Sequence, residues 1–143
     1  MTAQNQIISF CGDVCSLCPR YVATRNNDIE ALKRFAALWF KLGFRPEVID
    51  PEQMKCYGCN RDMACSQGIN DCIHLQNINN CGECQHFPCD KINAVFEKTD
   101  KTNTICKGKC TEEEYNVLCN AFLLKREILT RINTEHRNKN HFH

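Results

Sequence analysis

Long apolar runs are missing from this chain of 143 residues: the longest, FAALWF at 35–40, is far too short for a bilayer-spanning helix, so no membrane association of that kind is expected. An excess of one charge is missing too. Eighteen Lys and Arg face 17 Asp and Glu, a formal net charge of +1, and a protein binding by phosphate neutralisation would carry a clear basic surplus. Nucleic acid is therefore not an expected partner. The opening MTAQNQIISF lacks a basic segment, an apolar stretch of seven and a small-residue cleavage site, which points to the cytoplasm. Repeats and low-complexity tracts are absent as well, so residues 1–143 are expected to form a single domain.

Cysteine, in contrast, is abundant. The chain has 13, a density near that of a secreted disulfide scaffold. The odd number prevents complete pairing within one chain, and clustered thiols in a reducing compartment are more often metal ligands or redox groups than bridges. Three fall in residues 11–18, seven in 56–89 and three in 106–119.

Between the first two groups, Ile29, Leu32, Phe35, Ala36, Trp39 and Leu42 recur at three- and four-residue spacing, which predicts an amphipathic helix. Asn27 is the expected N-cap with Glu30 closing a capping box, Gly43 the expected C-cap, and Pro46 forbids continuation. Residues 45–55 read as a connector with a short helical turn after Asp50. From Cys56 to Cys89 there is little periodic apolar pattern, so that stretch is expected to be organised by its sulfurs rather than by an apolar core. A helix carrying Ile92, Val95 and Phe96 should follow Pro88 and end near Asp100. A C-terminal helix over 111–135 should start at a Thr111–Glu114 capping box, its stripe of Tyr115, Leu118, Phe122, Leu129 and Ile132 lying against the first helix. The tail 136–143 reads as polar and frayed. The expected fold is small, metal-stabilised and mainly α: two or three helices packed with a cysteine-rich loop region of zinc-knuckle-like turns, with little or no β-sheet.

Three C-x2-C pairs carry the metal expectation: Cys15 with Cys18, Cys56 with Cys59, and Cys81 with Cys84. Thiolates about 2.3 Å from one tetrahedral ion commonly come in such pairs, because the tight turn aims two sulfurs and several amides at one point. The 21 residues between Cys59 and Cys81 resemble the spacing of a four-thiolate zinc site formed by Cys56, Cys59, Cys81 and Cys84. Cys11, Cys15 and Cys18 would then need a fourth ligand from farther along the chain, and Cys65, Cys72 and Cys89 remain candidates, with His74 as an alternative donor. Two or more zinc ions are implied, and two four-thiolate sites would take the net charge from +1 to about −3. The C-x3-C-x2-C at 11–18 also suits an iron–sulfur cluster. The large barrel of a radical enzyme that uses S-adenosylmethionine does not fit in this chain.

Further along, Lys107 and Lys109 in CKGKC, 106–110, would lower the pKa of Cys106 and Cys110 and make them a reactive or redox pair. Cys119 sits beside Leu118 and Phe122 and reads as core.

The segments CGDVCSLCPRY at 11–21, CYGC at 56–59, INDC at 69–72 and CGECQHFPC at 81–89 resemble the bacterial and archaeal family catalogued as domain of unknown function 3795, over about residues 8–96. The resemblance implies a small cytosolic cysteine-rich protein, presumed to bind zinc. By position it implies family cysteines at Cys11, Cys15, Cys18, Cys56, Cys59, Cys72, Cys81, Cys84 and Cys89. CIHLQNINN at 72–80 departs from the family's usual run there, Cys65 is not placed cleanly by the resemblance, and Cys106, Cys110 and Cys119 lie outside it.

No carboxylate–histidine set marks a catalytic zinc, and a closed four-thiolate site leaves no position for water. Asp13, His74, Glu83 and His86 are expected to support the sulfurs or face solvent. The expected role is thus a zinc-stabilised interaction module with a protein partner and no catalytic residues. The alternative is an iron–sulfur, thiol redox or soft-metal handling protein.

Overall fold

A computed structural model describes residues 6–58, 68–70 and 72–141. Among these residues it is mainly helical and has no sheet, only an isolated bridge between Ile8 and Val14. Five α-helices are present: α1 (Pro19–Arg25), α2 (Ile29–Lys41), α3 (Asp90–Lys109), α4 (Glu112–Leu118) and α5 (Lys125–His141). None is long and apolar enough to cross a membrane.

Local rules account for most boundaries. Helix α2 begins one residue later than expected: Asp28, not Asn27, caps it by accepting from the Ala31 amide at 3.0 Å. Asn27 instead takes a left-handed φ of 53°, turning the chain between α1 and α2. Beyond Leu42, Gly43 at φ +82° lets the Phe44 amide reach back to the Trp39 carbonyl at 2.9 Å, which ends the helix as a Schellman-type turn. The Thr111–Glu114 capping box forms as expected, and so does the turn after Asp50, at Pro51–Met54.

Helix α3 runs nine residues past the expected end at Asp100, to Lys109. Thr99, Thr102 and Thr104 each donate a hydroxyl to the carbonyl four residues back. Their polarity is thereby absorbed along the helix, and buried Cys106 anchors its last turn. The expected continuous C-terminal helix is instead divided by a π-helical turn, Cys119–Leu123, and α5 carries on through the tail to His141. The wider turn has a use: the Ala121 carbonyl accepts from the Val14 amide at 2.9 Å, tying the first cysteine loop to the helices.

Two apolar cores result. In one, Leu32, Ala36, Trp39 and Leu42 of α2 meet Met54, Cys106, Leu118 and Leu123, with Phe122 set edge-on to Trp39, ring centroids 6.1 Å apart. In the other, Ile69, Leu75 and Phe87 bury against Ile92, Val95 and Phe96 of α3 and Leu129 of α5, together with Cys11 and Cys81. This second core corrects the expectation that residues 56–89 lack one. Their apolar side chains are aperiodic because short turns, not a helix or strand, deliver them. The C-terminal stripe is shared out too. Tyr115, Leu118 and Phe122 face α2 as expected, while Leu129 and Ile132 serve the second core.

Two glycines set how closely the cysteine loops approach α5. A Cβ on Gly12, at φ +100°, would lie 3.0 Å from Leu129 Cγ and 3.2 Å from the Lys125 backbone. At Gly82 a Cβ would lie 2.8 Å from Ile132 Cγ2 and 2.9 Å from Asn80 Oδ1. Gly82→Ala should therefore cost about 1–3 kcal/mol by forcing the 81–84 turn off α5. A lowered urea midpoint is the readout, partly restored by adding Ile132→Ala, since coupled neighbours are not additive.

Candidate metal-binding sulfur groups

The cysteine turns build themselves from local hydrogen bonds. Cys15–Leu17 and Cys81–Glu83 are single 3-10 turns in which the Cys18 amide donates to the Cys15 carbonyl (3.0 Å) and the Cys84 amide to that of Cys81 (3.1 Å). Asn80 caps the second turn by accepting from the Gly82 amide at 2.9 Å, and the His86 amide points at Cys84 Sγ, 3.4 Å away. This is the pair of sulfurs on a tight turn that a thiolate site requires.

Long-range contacts then sort the sulfurs into groups. The Cys81 amide donates to the Phe10 carbonyl at 2.9 Å, bringing Cys11 alongside, and Asn133 of α5 donates to the Gly82 carbonyl at 2.9 Å. Burial, together with the nearby sulfurs of Cys11, Cys89, Cys72 and Cys84, pushes the Cys81 thiol up to about 12. Burial chiefly, then the Asp13 carboxylate, raises Cys11 to about 11. A small, partly open pocket of about 30 Å³ is lined by Cys72, Cys81, Cys84 and Cys89, with His74, His86 and the apolar Ile69, Leu75, Phe87 and Ile92 among its other walls. The two imidazole rings stand 4.3 Å apart, centre to centre. That volume exceeds what one water needs.

The second group lies at the start of α1. Arg20 donates through Nε to the Met54 carbonyl at 2.7 Å, and Thr24 Oγ1 accepts from the Cys56 amide at 2.9 Å. These bonds hold Cys56 beside Cys18. Burial raises the Cys18 thiol to about 11, opposed by the amides of Tyr21 and Arg20, while the Cys56 sulfur raises it further. Cys15, Cys18 and Cys56 all line a larger cleft of about 530 Å³, walled by Trp39, Phe44 and Phe122.

The N-terminal triplet is thus divided, Cys11 joining Cys81 while Cys18 joins Cys56. Cys56 therefore keeps company with Cys18 rather than entering the expected quartet with Cys81 and Cys84. Cys59 and Cys65 lie outside the described residues. No disulfide joins the described cysteines, and among the described residues no group of three or more His, Cys, Asp or Glu side chains is placed to hold a metal ion.

A third group is formed by Cys106, Cys110 and Cys119 around Tyr115. Here the structure reverses an expectation. Lys107 and Lys109 are exposed, and burial pushes both Cys106 (to about 11) and Cys110 upward rather than down. The ammonium that acts on Cys110 is that of Lys41, from α2. Cys119, expected in the core, is half-buried at its edge.

Other side chains near the sulfurs have structural partners. Asp13 forms an ion pair with Lys125 at 2.9 Å, and Lys125 also donates to the Phe122 carbonyl at 2.9 Å. Glu83 accepts from the Asn79 amide at 2.8 Å. Arg126 grips Asp100 through both nitrogens, and Arg137 donates to the Phe87 carbonyl. Three of the basic residues of the C-terminal helix are thus engaged within the fold. Sequence reasoning missed Thr24 and Asn133, whose carriage of the cysteine turns depends on residues more than 30 positions away.

No curated protein matches this chain, and neither does any solved structure. One family profile does, described as "protein of unknown function (DUF3795)", over residues 7–94. That span contains the described cysteines of the first two sulfur groups and the whole second core except Val95 and Phe96 of α3 and the α5 residues. The chain therefore belongs to the DUF3795 family.

Proposed function

We propose that this protein is a zinc-stabilised interaction module of the cytoplasm whose ions are structural and whose partner is another protein. One zinc site draws on Cys11, Cys72, Cys81, Cys84 and Cys89, and the other on Cys15, Cys18 and Cys56, completed by Cys59 or Cys65. The observation that carries the reading is the small pocket lined by Cys72, Cys81, Cys84 and Cys89, sulfurs delivered by the turns at Ile73–Leu75 and Cys81–Glu83 and by the N-cap of α3. Its walls include thiols and imidazoles, the donor types zinc takes. Binding would draw the side chains inward and displace their protons, since thiolates, not thiols, ligate. The exposed Tyr57 and Ile73, 76% and 71% accessible, directly follow Cys56 and Cys72. A closed metal turn would thus present each of them on a rigid base, as a protein partner requires.

Elemental analysis of protein purified without added metal tests this. About two zinc ions per chain are expected, together with intense thiolate-to-metal absorption when cobalt replaces zinc. Metal-free protein with every thiol titratable, or brown protein with acid-labile sulfide, would overturn it.

A further inference from the structure

CKGKC, at 106–110, lies outside the family match and outside both zinc groups. Cys106 is 1% exposed on the inner face of the last turn of α3, whereas Cys110, its C-cap, is half-buried and reachable from solvent. The Cys110 amide donates to the Cys106 carbonyl at 2.9 Å, which sets the two residues on consecutive turns, and each sulfur acts electrostatically on the other. Residues four apart within a helix hold their Cβ atoms about 5–6 Å apart, more than the roughly 3.8 Å of a disulfide. Cys110 is the C-cap: its φ of −85° and its 2.9 Å amide bond to the Cys106 carbonyl leave its Cβ near helical spacing, while ψ 151° turns only the chain that follows. As the terminal residue, Cys110 closes that gap by giving up this single amide bond, because helix ends fray from the last residue inward.

We propose that Cys106 and Cys110 form a reversible dithiol–disulfide couple, oxidised by small-molecule disulfides, that records thiol redox state separately from the zinc-holding sulfurs. Ionised Cys110 attacks one sulfur of the reagent, forming a mixed disulfide as the reagent's own S–S bond breaks and one thiolate departs. Cys106 then loses its proton to solvent and attacks the Cys110 sulfur, expelling the second thiolate. Two protein thiols are oxidised, the reagent disulfide is reduced to two thiols, and the released protons end on those thiols. The groups facing the pair are Lys41 and Glu114, themselves ion-paired at 3.0 Å, with Cys119 and Tyr115. Both thiols are held protonated near neutrality, so the rate should climb about tenfold per pH unit between 7 and 8 as the Cys110 thiolate fraction grows.

Full-length protein, as purified, would be treated with excess glutathione disulfide at pH 7 and pH 8, alkylated, digested with trypsin without reduction and mapped by mass. Cleavage after Lys101, Lys107, Lys109 and Lys125 makes the expected product peptide 102–107 linked to peptide 110–125. Because the latter also contains Cys119, the linked species must persist in Cys119→Ser and vanish in Cys110→Ser. Dithiothreitol must reverse it. Full alkylation of Cys106 and Cys110 after oxidation, a link that survives Cys110→Ser, or a link lost in Cys119→Ser would each overturn the proposal.

Discussion

A strong chelator at neutral pH should abolish the cooperative thermal transition of this protein, and readdition of zinc should restore it. A structural zinc contributes on the order of 10 kcal/mol or more to a small thiolate domain near neutral pH. The whole stability of an ordinary domain is only about 5–15 kcal/mol. Losing even one ion would consume most of that margin, and the apolar cores would have little left to offset chain entropy. The effect should spread from the sulfur turns. Once the 81–84 turn opens, the Asn133–Gly82 and Cys81–Phe10 bonds go with it, and the second core loses its cover over Leu129. Helical ellipticity and the fluorescence of Trp39, buried at 7% exposure in the first core, would report the two halves. A transition temperature unmoved after verified metal removal would refute the structural role of zinc.

Leu129→Ala should lower stability by about 3–5 kcal/mol, the upper part of the range for a buried leucine. Leu129 is wholly buried, and it is the residue against which Gly12, and hence Cys11, approaches α5. Its neighbours are held by backbone bonds on both sides: the Val14 amide to Ala121, and the Cys81 amide to Phe10. A cavity there has little freedom to collapse. Urea unfolding should show a reduced midpoint with an unchanged slope. Ile73→Ala, 71% exposed, is the contrast and should stay within about 0.5 kcal/mol. A loss below about 1.5 kcal/mol at Leu129 would mean that the second core is looser than its packing implies.

Short-range chemistry was legible from the residues alone. The α2 stripe, the Gly43 terminus, the Thr111–Glu114 box and the C-x2-C turns all depend on groups within a few positions of one another. The misreadings share a cause as well. Helix α3 past Asp100 has no apolar stripe to announce it, because Cys106 is the one fully buried side chain there and its inward neighbours, Thr102 and Asn103, are polar. The second core escaped notice because Ile69, Leu75 and Phe87 have no common period. The sign of the CKGKC thiols was misjudged because neighbouring lysines in sequence turn outward, and burial then outweighs them.

By itself, the sequence determined the kind of residue at work: thiols paired on tight turns, odd in number so that they cannot all bond within the chain, in a mainly helical chain, none of whose described helices is long and apolar enough to span a membrane. Only the tertiary structure decided which sulfurs share a neighbourhood. It divided Cys11 from Cys18, joined Cys11 to Cys81 and Cys18 to Cys56, and set Cys106, Cys110 and Cys119 apart as a third group. The physical reason is one of range. A turn is closed by hydrogen bonds across three or four residues, whereas companionship between sulfurs depends on where Gly12 and Gly82 let distant loops rest against α5.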